Sequence, residues 1–122
     1  MKKYDYYKQY TFLNPKMPYN AFWWSNSTTD YHTHCDFYEM FLTVQEGCVH
    51  IFNDSKTDLP SHTLCVIPAN QYHAIEHKHP DQKPIIFTLA FTKSFLERYI
   101  DAFSPSFTEM LNGVDCVYLN VD

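Results

Sequence analysis

Short apolar runs broken by polar turn residues fill the first three quarters of the chain, and a helical period takes over near its end. Residues 10–13 and 20–25 are predicted strands, separated by a turn around Asn14-Pro15 and Pro18. From Phe37 to Val44 nearly every position is apolar, which predicts a strand buried on both faces rather than one that simply alternates. Gly47 ends it, Cys48 to Phe52 returns, and Asn53-Asp54-Ser55-Lys56 is polar turn chemistry, so a hairpin is expected here. Leu64 to Ile67 is the next strand, stopped by Pro68-Ala69-Asn70. Tyr72 to Lys78 follows, then a loop through Pro80 and Pro84, and Ile85 to Phe91 is the last long strand. With only two glycines in the chain, the turns must rest on Asn, Asp and Pro.

The period then changes. Phe95, Leu96, Tyr99, Ile100 and Phe103 recur at helical spacing, with Glu97, Arg98 and Asp101 on the other side. Ser94 followed by Glu97 fits a capping box. Ser104-Pro105 stops this helix, because the residue before proline is excluded from the helical conformation. A second short helix is expected over Ser106 to Leu111, closed by Asn112-Gly113, and Val117 to Leu119 reads as extended. The chain is therefore mainly β, with strands first and one or two α-helices last, a pattern that suggests a sandwich or small barrel.

Composition narrows the class. At 122 residues the chain is one domain, long enough for a single core. Aromatic residues make up 18% of it, which favours β-structure and a pocket walled by rings. The net charge is -5 and no basic cluster exists beyond Lys2-Lys3, so these residues do not suit DNA or an anionic membrane. No apolar run reaches membrane-spanning length. Cys35, Cys48, Cys65 and Cys116 show no metal-finger spacing, and the amino terminus does not read as a signal peptide. They are expected to be reduced, mostly buried thiols of a cytoplasmic protein.

The chemistry concentrates in His32-Thr33-His34-Cys35-Asp36-Phe37-Tyr38-Glu39 and in Pro68-Ala69-Asn70-Gln71-Tyr72-His73. Imidazole nitrogens and carboxylate oxygens suit a divalent first-row metal, and equally a small polar ligand. Residues two apart on a strand share a face, so His32 and His34 point the same way. Glu39 falls on the opposite parity, so a bulge or bend near Cys35-Asp36 is needed to bring it round. His73, Ile75 and His77 share one face. His50 and His62 lie near predicted turns and strand edges and are expected to face solvent, and His79 is a loop residue.

These two segments resemble the motifs of cupins, small antiparallel, jelly-roll-like β-barrels. The first motif is carried by His32, His34, Glu39 and Gly47, the second by Pro68, Asn70 and His73. Asn70 stands where the family usually has Gly, and Asn tolerates positive φ well. The Glu-to-Gly interval is one residue longer than the common pattern, and His77 stands where Asn often follows the second motif. All four of the usual ligands, His32, His34, Glu39 and His73, are present. More narrowly, residues 30–103 resemble the amino-terminal sensor domain of AraC-type transcription regulators, through the His32-to-Glu39 segment, Val66-Ile67-Pro68 before His73, and the strand-to-helix exit Phe91-Thr92-Lys93-Ser94-Phe95-Leu96.

The resemblance implies a cupin-like barrel with amino-terminal strands over 1–92 and a helical extension of the same domain over 93–122. It implies a carboxy-terminal DNA-binding domain beyond these residues, the chain being a fragment of a longer regulator. Function would be small-molecule sensing, not catalysis. The effector, a sugar or sugar derivative, would meet His32, His34, Glu39, His73, His77 and Trp24. One divalent metal (zinc, nickel, iron or manganese) on His32, His34, Glu39 and His73 is the rival occupant, against a mouth of polar residues bonded to each other and to water. The partners implied are the effector, a second copy through the 93–103 helix, and DNA only through the missing domain, with no membrane. The Phe95-to-Phe103 stripe serves equally as packing on the barrel. Of Trp23 and Trp24 at most one can line the pocket, and simple packing of both is the plainer reading. Cys35 is read as buried rather than reactive. The alternative function is a metal-dependent cupin enzyme, an isomerase or dioxygenase, with His77 as the base.

Overall fold

The computed structural model describes residues 8–10, 19–25, 29, 31–34, 37–101 and 104–121, without the side chains of residues 8–10, 24 and 25. The strands are β1 (Lys8–Tyr10), β2 (Tyr19–Ser25), β3 (His32–His34), β4 (Phe37–Thr43), β5 (Cys48–Phe52), β6 (Ser55–Leu59), β7 (Thr63–Ile67), β8 (His73–His77), β9 (Ile85–Thr92) and β10 (Val117–Asn120). They form two five-stranded sheets, ordered β1-β3-β8-β5-β6 and β10-β7-β4-β9-β2. Every described pairing is antiparallel except β1 on β3. No described strand pairing joins one sheet to the other, so the barrel is a jelly-roll-like sandwich, open at its edges.

The two sheets pack on a shared core. Phe41, Cys65, Ile67 and Ile86 from one sheet meet Cys48, Leu59 and Ile75 from the other. The outer face of the β4-containing sheet is covered as well: Tyr38, Val66 and Phe91 bury with Leu96 and Leu111 from the carboxy-terminal helical segments. That second cover explains why β4 is apolar at nearly every position, since neither of its faces meets water.

The hairpin is β5–β6, and it turns at Asn53-Asp54, whose φ angles of 50° and 65° are those of a tight two-residue hairpin turn. Ser55 and Lys56, expected in the turn, already belong to the return strand. β4 and β5 do not pair; they lie in opposite sheets and Gly47, at φ +103°, sits in the crossover between them. A side chain there would be strained and would meet Gln82. Asn70 takes φ 62°, the left-handed conformation expected of it.

The helical tail departs from expectation in two ways. Thr92, not Ser94, is the cap: its hydroxyl accepts from the Phe95 N–H at 3.2 Å. The α-helical turn α1 (Lys93–Phe95) widens at once into a π-helical turn over Leu96–Ile100, closed by Asp101 N–H to Leu96 O at 2.9 Å. α2 (Pro105–Leu111) starts with proline at its first position and with Ser104 capping Phe107. Val117 to Leu119 is extended as expected, in β10, which adds an edge strand on β7 after the helices. The apolar stripe divides: Leu96 is buried, Phe95 and Ile100 are half-buried, and Tyr99 is 53% exposed. Phe103, Cys35, Asp36 and the expected 11–13 strand positions lie outside the described residues. Among the described residues no helix is long and apolar enough to cross a membrane.

Candidate functional site

β3 and β8 are neighbours, and His32 stands directly opposite His73 in the register. Directly opposed residues share a face, so His32, His34 and His73 meet between the sheets, at 4%, 4% and 0% exposure. One nitrogen from each lies within 4.8 Å of the others. His34 Nε2 is 3.4 Å from His73 Nε2 and 3.0 Å from Glu39 Oε2. The Phe37 ring packs on His34, with centroids 4.7 Å apart.

Glu39 also reaches this group, past the break between β3 and β4 that falls where a bulge or bend was expected. β3 ends one sheet and β4 begins in the other, so the chain changes sheets between His34 and Phe37. The parity of a single strand no longer applies, and Glu39 comes across the interior to His34. Burial by itself would raise the Glu39 carboxyl; the charge and hydrogen bond of His34 outweigh it and hold the group below its usual range.

The structure corrects the reading of His50. This residue is fully buried, not solvent-facing. β5 lies inside its sheet, between β6 and β8, so no edge exposes it. His50 Nε2 is 2.9 Å from His73 Nδ1, and His50 Nδ1 is 2.7 Å from the Tyr118 hydroxyl. A hydrogen-bonded chain thus runs Glu39, His34, His73, His50, Tyr118. Burial, reinforced by His50, His32 and His34, pushes His73 well below the ordinary histidine range, so it stays neutral at pH 7. The signal for His50 was in the sequence: one imidazole in the otherwise apolar run Cys48-Val49-His50-Ile51-Phe52, on the same parity as two buried positions. Tyr118 and the pair Cys65 and Cys116 had no such signal. Their sulfurs are 3.3 Å apart, and Cys65 Sγ is 3.9 Å from His50 Nδ1. Burial raises the Cys65 thiol, and the hydrogen bond from Cys65 brings Cys116 down to about 5.

His77 is on the expected face but at the other end of β8, four residues or roughly 13 Å from His73. Its Nδ1 is buried with no hydrogen-bond partner among the described residues. Trp24 pairs with Ile86 through its backbone, and its side chain lies outside the described atoms. Trp23 is 65% exposed and packs at a tilt against Phe87. His62 is exposed, as expected.

The three-histidine group fits a metal. Two nitrogens bound to one tetrahedral ion at about 2.1 Å stand about 3.4 Å apart, which is the His34–His73 spacing. A neutral imidazole has one proton. For His73 to offer Nε2 as a lone pair, its Nδ1–H must donate to His50 Nε2, and His50 must then donate from Nδ1 to Tyr118. Such an outer hydrogen bond is what orients a ligating histidine. The same His34 Nε2 bonds Glu39 here, so a metal on that nitrogen would replace the His34–Glu39 hydrogen bond.

No protein-family model and no curated protein matches the sequence. Solved structures do match the fold. The plu4264 protein from Photorhabdus luminescens superposes with a TM-score of 0.58 at 14% identity, over 76% of this chain and 78% of that one. A cupin 2 conserved barrel domain protein from Salinispora arenicola gives 0.57 at 11% identity, over 75% and 77%. ToxT from Vibrio cholerae gives 0.62 at 14% identity, over 87% of this chain but only 43% of its own. ToxT structures include one with an unsaturated fatty acid bound and one with (E)-4-(8-methylnaphthalen-1-yl)but-3-enoic acid. At such identities the likeness is one of fold: the cupin barrel.

Proposed function

We propose that this chain is the small-molecule-sensing domain of an AraC-type transcription regulator, whose effector enters between the two sheets and meets His32, His34, Glu39 and His73. The observation that carries the reading is the buried convergence of three imidazoles, with a carboxylate against one of them on β4, the neighbour of the strand β9 that leads to the helical exit. Imidazoles and a carboxylate can together donate to and accept from ligand hydroxyls, and Phe37 offers a ring face beside them, which suits a sugar or sugar derivative. ToxT, an AraC-family protein, supports the regulator side of the reading. Its bound fatty acid favours a second ligand class, a carboxylic acid held by the imidazoles. DNA contact would come from a separate domain, in a cytoplasmic protein.

The path from the histidine group to the exit is short. Ala90 stands opposite Glu39, Phe91 buries against Tyr38 and Leu96, and Thr92 caps the turn that follows. A ligand that moves Glu39 therefore presses on the β9–α1 junction. An effector must bind the two states of that junction unequally to signal at all. A metal held by His32, His34 and His73 would supply a Lewis-acidic anchor for ligand oxygen atoms. The enzyme reading finds less support, because His77, its base, sits so far along β8.

The test is a panel of pentoses, hexoses and a C16 unsaturated fatty acid, screened by thermal shift and followed by hydrogen exchange. A binder should protect His32–His34, Glu39 and His73 and also change exchange across residues 91–101, with loss of both effects in His73→Ala. Protection confined to the cavity, accompanied by turnover of the compound, would rule out the sensor. A homodimer is proposed through the exposed Tyr99 face. Tyr99→Glu should sediment as a folded monomer where the parent sediments as a dimer; an unchanged sedimentation coefficient would remove this interface.

A further inference from the structure

Behind the histidine group lies a second cluster that the sensing role does not use. His50 on β5, Cys65 on β7 and Cys116 just before β10 bring one nitrogen and two sulfurs within 4.8 Å of one another. The three come from three separate parts of the chain, and two different sheets, and the bonds of His50 to His73 and Tyr118 hold its ring in place. Cys65 is fully buried and Cys116 is partly so.

We propose that His50 Nδ1, Cys65 Sγ and Cys116 Sγ form a second metal site, built for a zinc-class divalent ion. The distances are close to those of a loaded site. Around a tetrahedral zinc two sulfurs stand about 3.8 Å apart, and a sulfur and a nitrogen about 3.5 Å. Here the sulfurs are 3.3 Å apart and Cys65 Sγ is 3.9 Å from His50 Nδ1. Adjustments of about half an ångström bring these two distances to the tetrahedral values, and His50 and Cys116 lie within 4.8 Å of each other. The Tyr118 hydroxyl, 2.7 Å from His50 Nδ1 and within hydrogen-bond reach of Cys116, supplies an oxygen for the fourth position, directly or through water.

Charge selects the ion. A divalent cation on two thiolates and a neutral imidazole is uncharged overall, so the buried site carries no net charge into a low-dielectric interior. A monovalent soft ion such as Cu(I) would leave one negative charge there. Magnesium and calcium prefer oxygen donors. The borderline-soft divalent ions remain, zinc foremost.

Cobalt(II) is the probe. Reduced, chelator-treated protein titrated with Co2+ in the absence of oxygen should develop a thiolate-to-cobalt charge-transfer band that saturates at one equivalent and is bleached by Zn2+. Cys116→Ser, with its sulfur only partly buried, should remove most of the band while circular dichroism shows a folded chain. Cys48→Ser should leave the band intact. X-ray absorption of the zinc-loaded parent should count two sulfur neighbours, a readout that needs no variant. Cobalt uptake with no thiolate band, a band that survives Cys116→Ser, fewer than two sulfurs at zinc, or a Cys65–Cys116 disulfide with no metal uptake by the reduced protein would each overturn the site. None of these outcomes depends on the effector, so the sensing proposal stands or falls separately.

Discussion

The two histidine-centred clusters differ in what they offer and in how they are built. The first, His32, His34 and His73 with Glu39, offers nitrogen and carboxylate donors; its histidines come from neighbouring strands β3 and β8, and Glu39 from β4 in the facing sheet. The second, His50, Cys65 and Cys116 with Tyr118, offers sulfur, and its members come from three separate parts of the chain with no common spacing. One hydrogen bond, His50 Nε2 to His73 Nδ1 at 2.9 Å, is the described link between them. A neutral imidazole carries a single proton, so a demand made on one cluster is felt at the other.

The largest effect expected is on stability. His73→Ala removes a fully buried ring, leaves a cavity, and leaves His50 Nε2 without its partner. It should cost about 2–5 kcal/mol in urea unfolding of metal-free protein. Cys116→Ser, half-buried and isosteric, should cost about 1 kcal/mol or less. Equal losses would show that the clusters are not the unequal partners described here.

That inequality also explains what was legible in the sequence. The meeting of His32, His34, Glu39 and His73 was legible because motif spacing survives in one dimension; the strands of Glu39 and His73 were expected within a residue or two, whereas no strand was expected over the short β3. The route of Glu39 was not legible, since a change of sheet and a bulge give the same parity repair. His50 lies close to the Asn53-Asp54 turn, and nearness to a turn does not by itself expose a side chain. Strand order decides that question: β5 is covered by β6 on one side and β8 on the other. The thiol cluster was invisible, because Cys65 and Cys116 meet only through the β7–β10 pairing, and a four-residue edge strand at the end of a helical tail gives little local signal. The π-helical turn was unreadable for a similar reason, as a helical stripe does not distinguish a fourth from a fifth residue spacing over so few turns.

Acid should break the first cluster before the chain as a whole. His73 is held neutral in the folded state, with its pKa depressed by burial, whereas the unfolded chain takes up that proton near pH 6.5. The unfolded state thus binds more protons below that pH, and stability falls as pH drops. The expected slope for metal-free protein is up to about 1.4 kcal/mol per pH unit below pH 6.5. Glu39 adds a further loss at lower pH, because its depressed carboxyl is stabilising only while ionised. In His73→Phe the slope between pH 6.5 and 5 should flatten. An unchanged slope would assign the acid sensitivity to other groups.

The shared hydrogen bond makes a sharper demand when both clusters hold metal. Zinc on His50 Nδ1 forces the His50 proton onto Nε2, where it points at His73 Nδ1. Metal on His73 Nε2 forces its proton onto Nδ1, pointing back. Two N–H groups would then face each other at 2.9 Å with no acceptor between them. Loading one cluster should therefore weaken the other by about tenfold, the worth of roughly 1.4 kcal/mol, and the effect must be reciprocal. Nickel titration by calorimetry with and without saturating zinc measures it. Cys116→Ser should abolish the difference, and independent affinities in the parent would show that the tautomers do not couple.

The smallest effect is expected at His77, the histidine that shares a face with His73 but belongs to neither cluster. Its Nδ1 is buried with no partner among the described residues, so the imidazole gives up hydration without recovering a hydrogen bond there. A phenyl ring fills similar space without that cost. His77→Phe should change unfolding free energy by less than about 1 kcal/mol, in either direction, because the saved desolvation is offset by any strain of the larger ring against Cys48, its partner across β5. Metal uptake at both clusters should match the parent, since four residues of extended strand separate His77 from His73. A loss of nickel or cobalt binding in this variant would mean that the first cluster extends along β8 to its far end, and that the division into two clusters joined only at His50 and His73 is drawn in the wrong place.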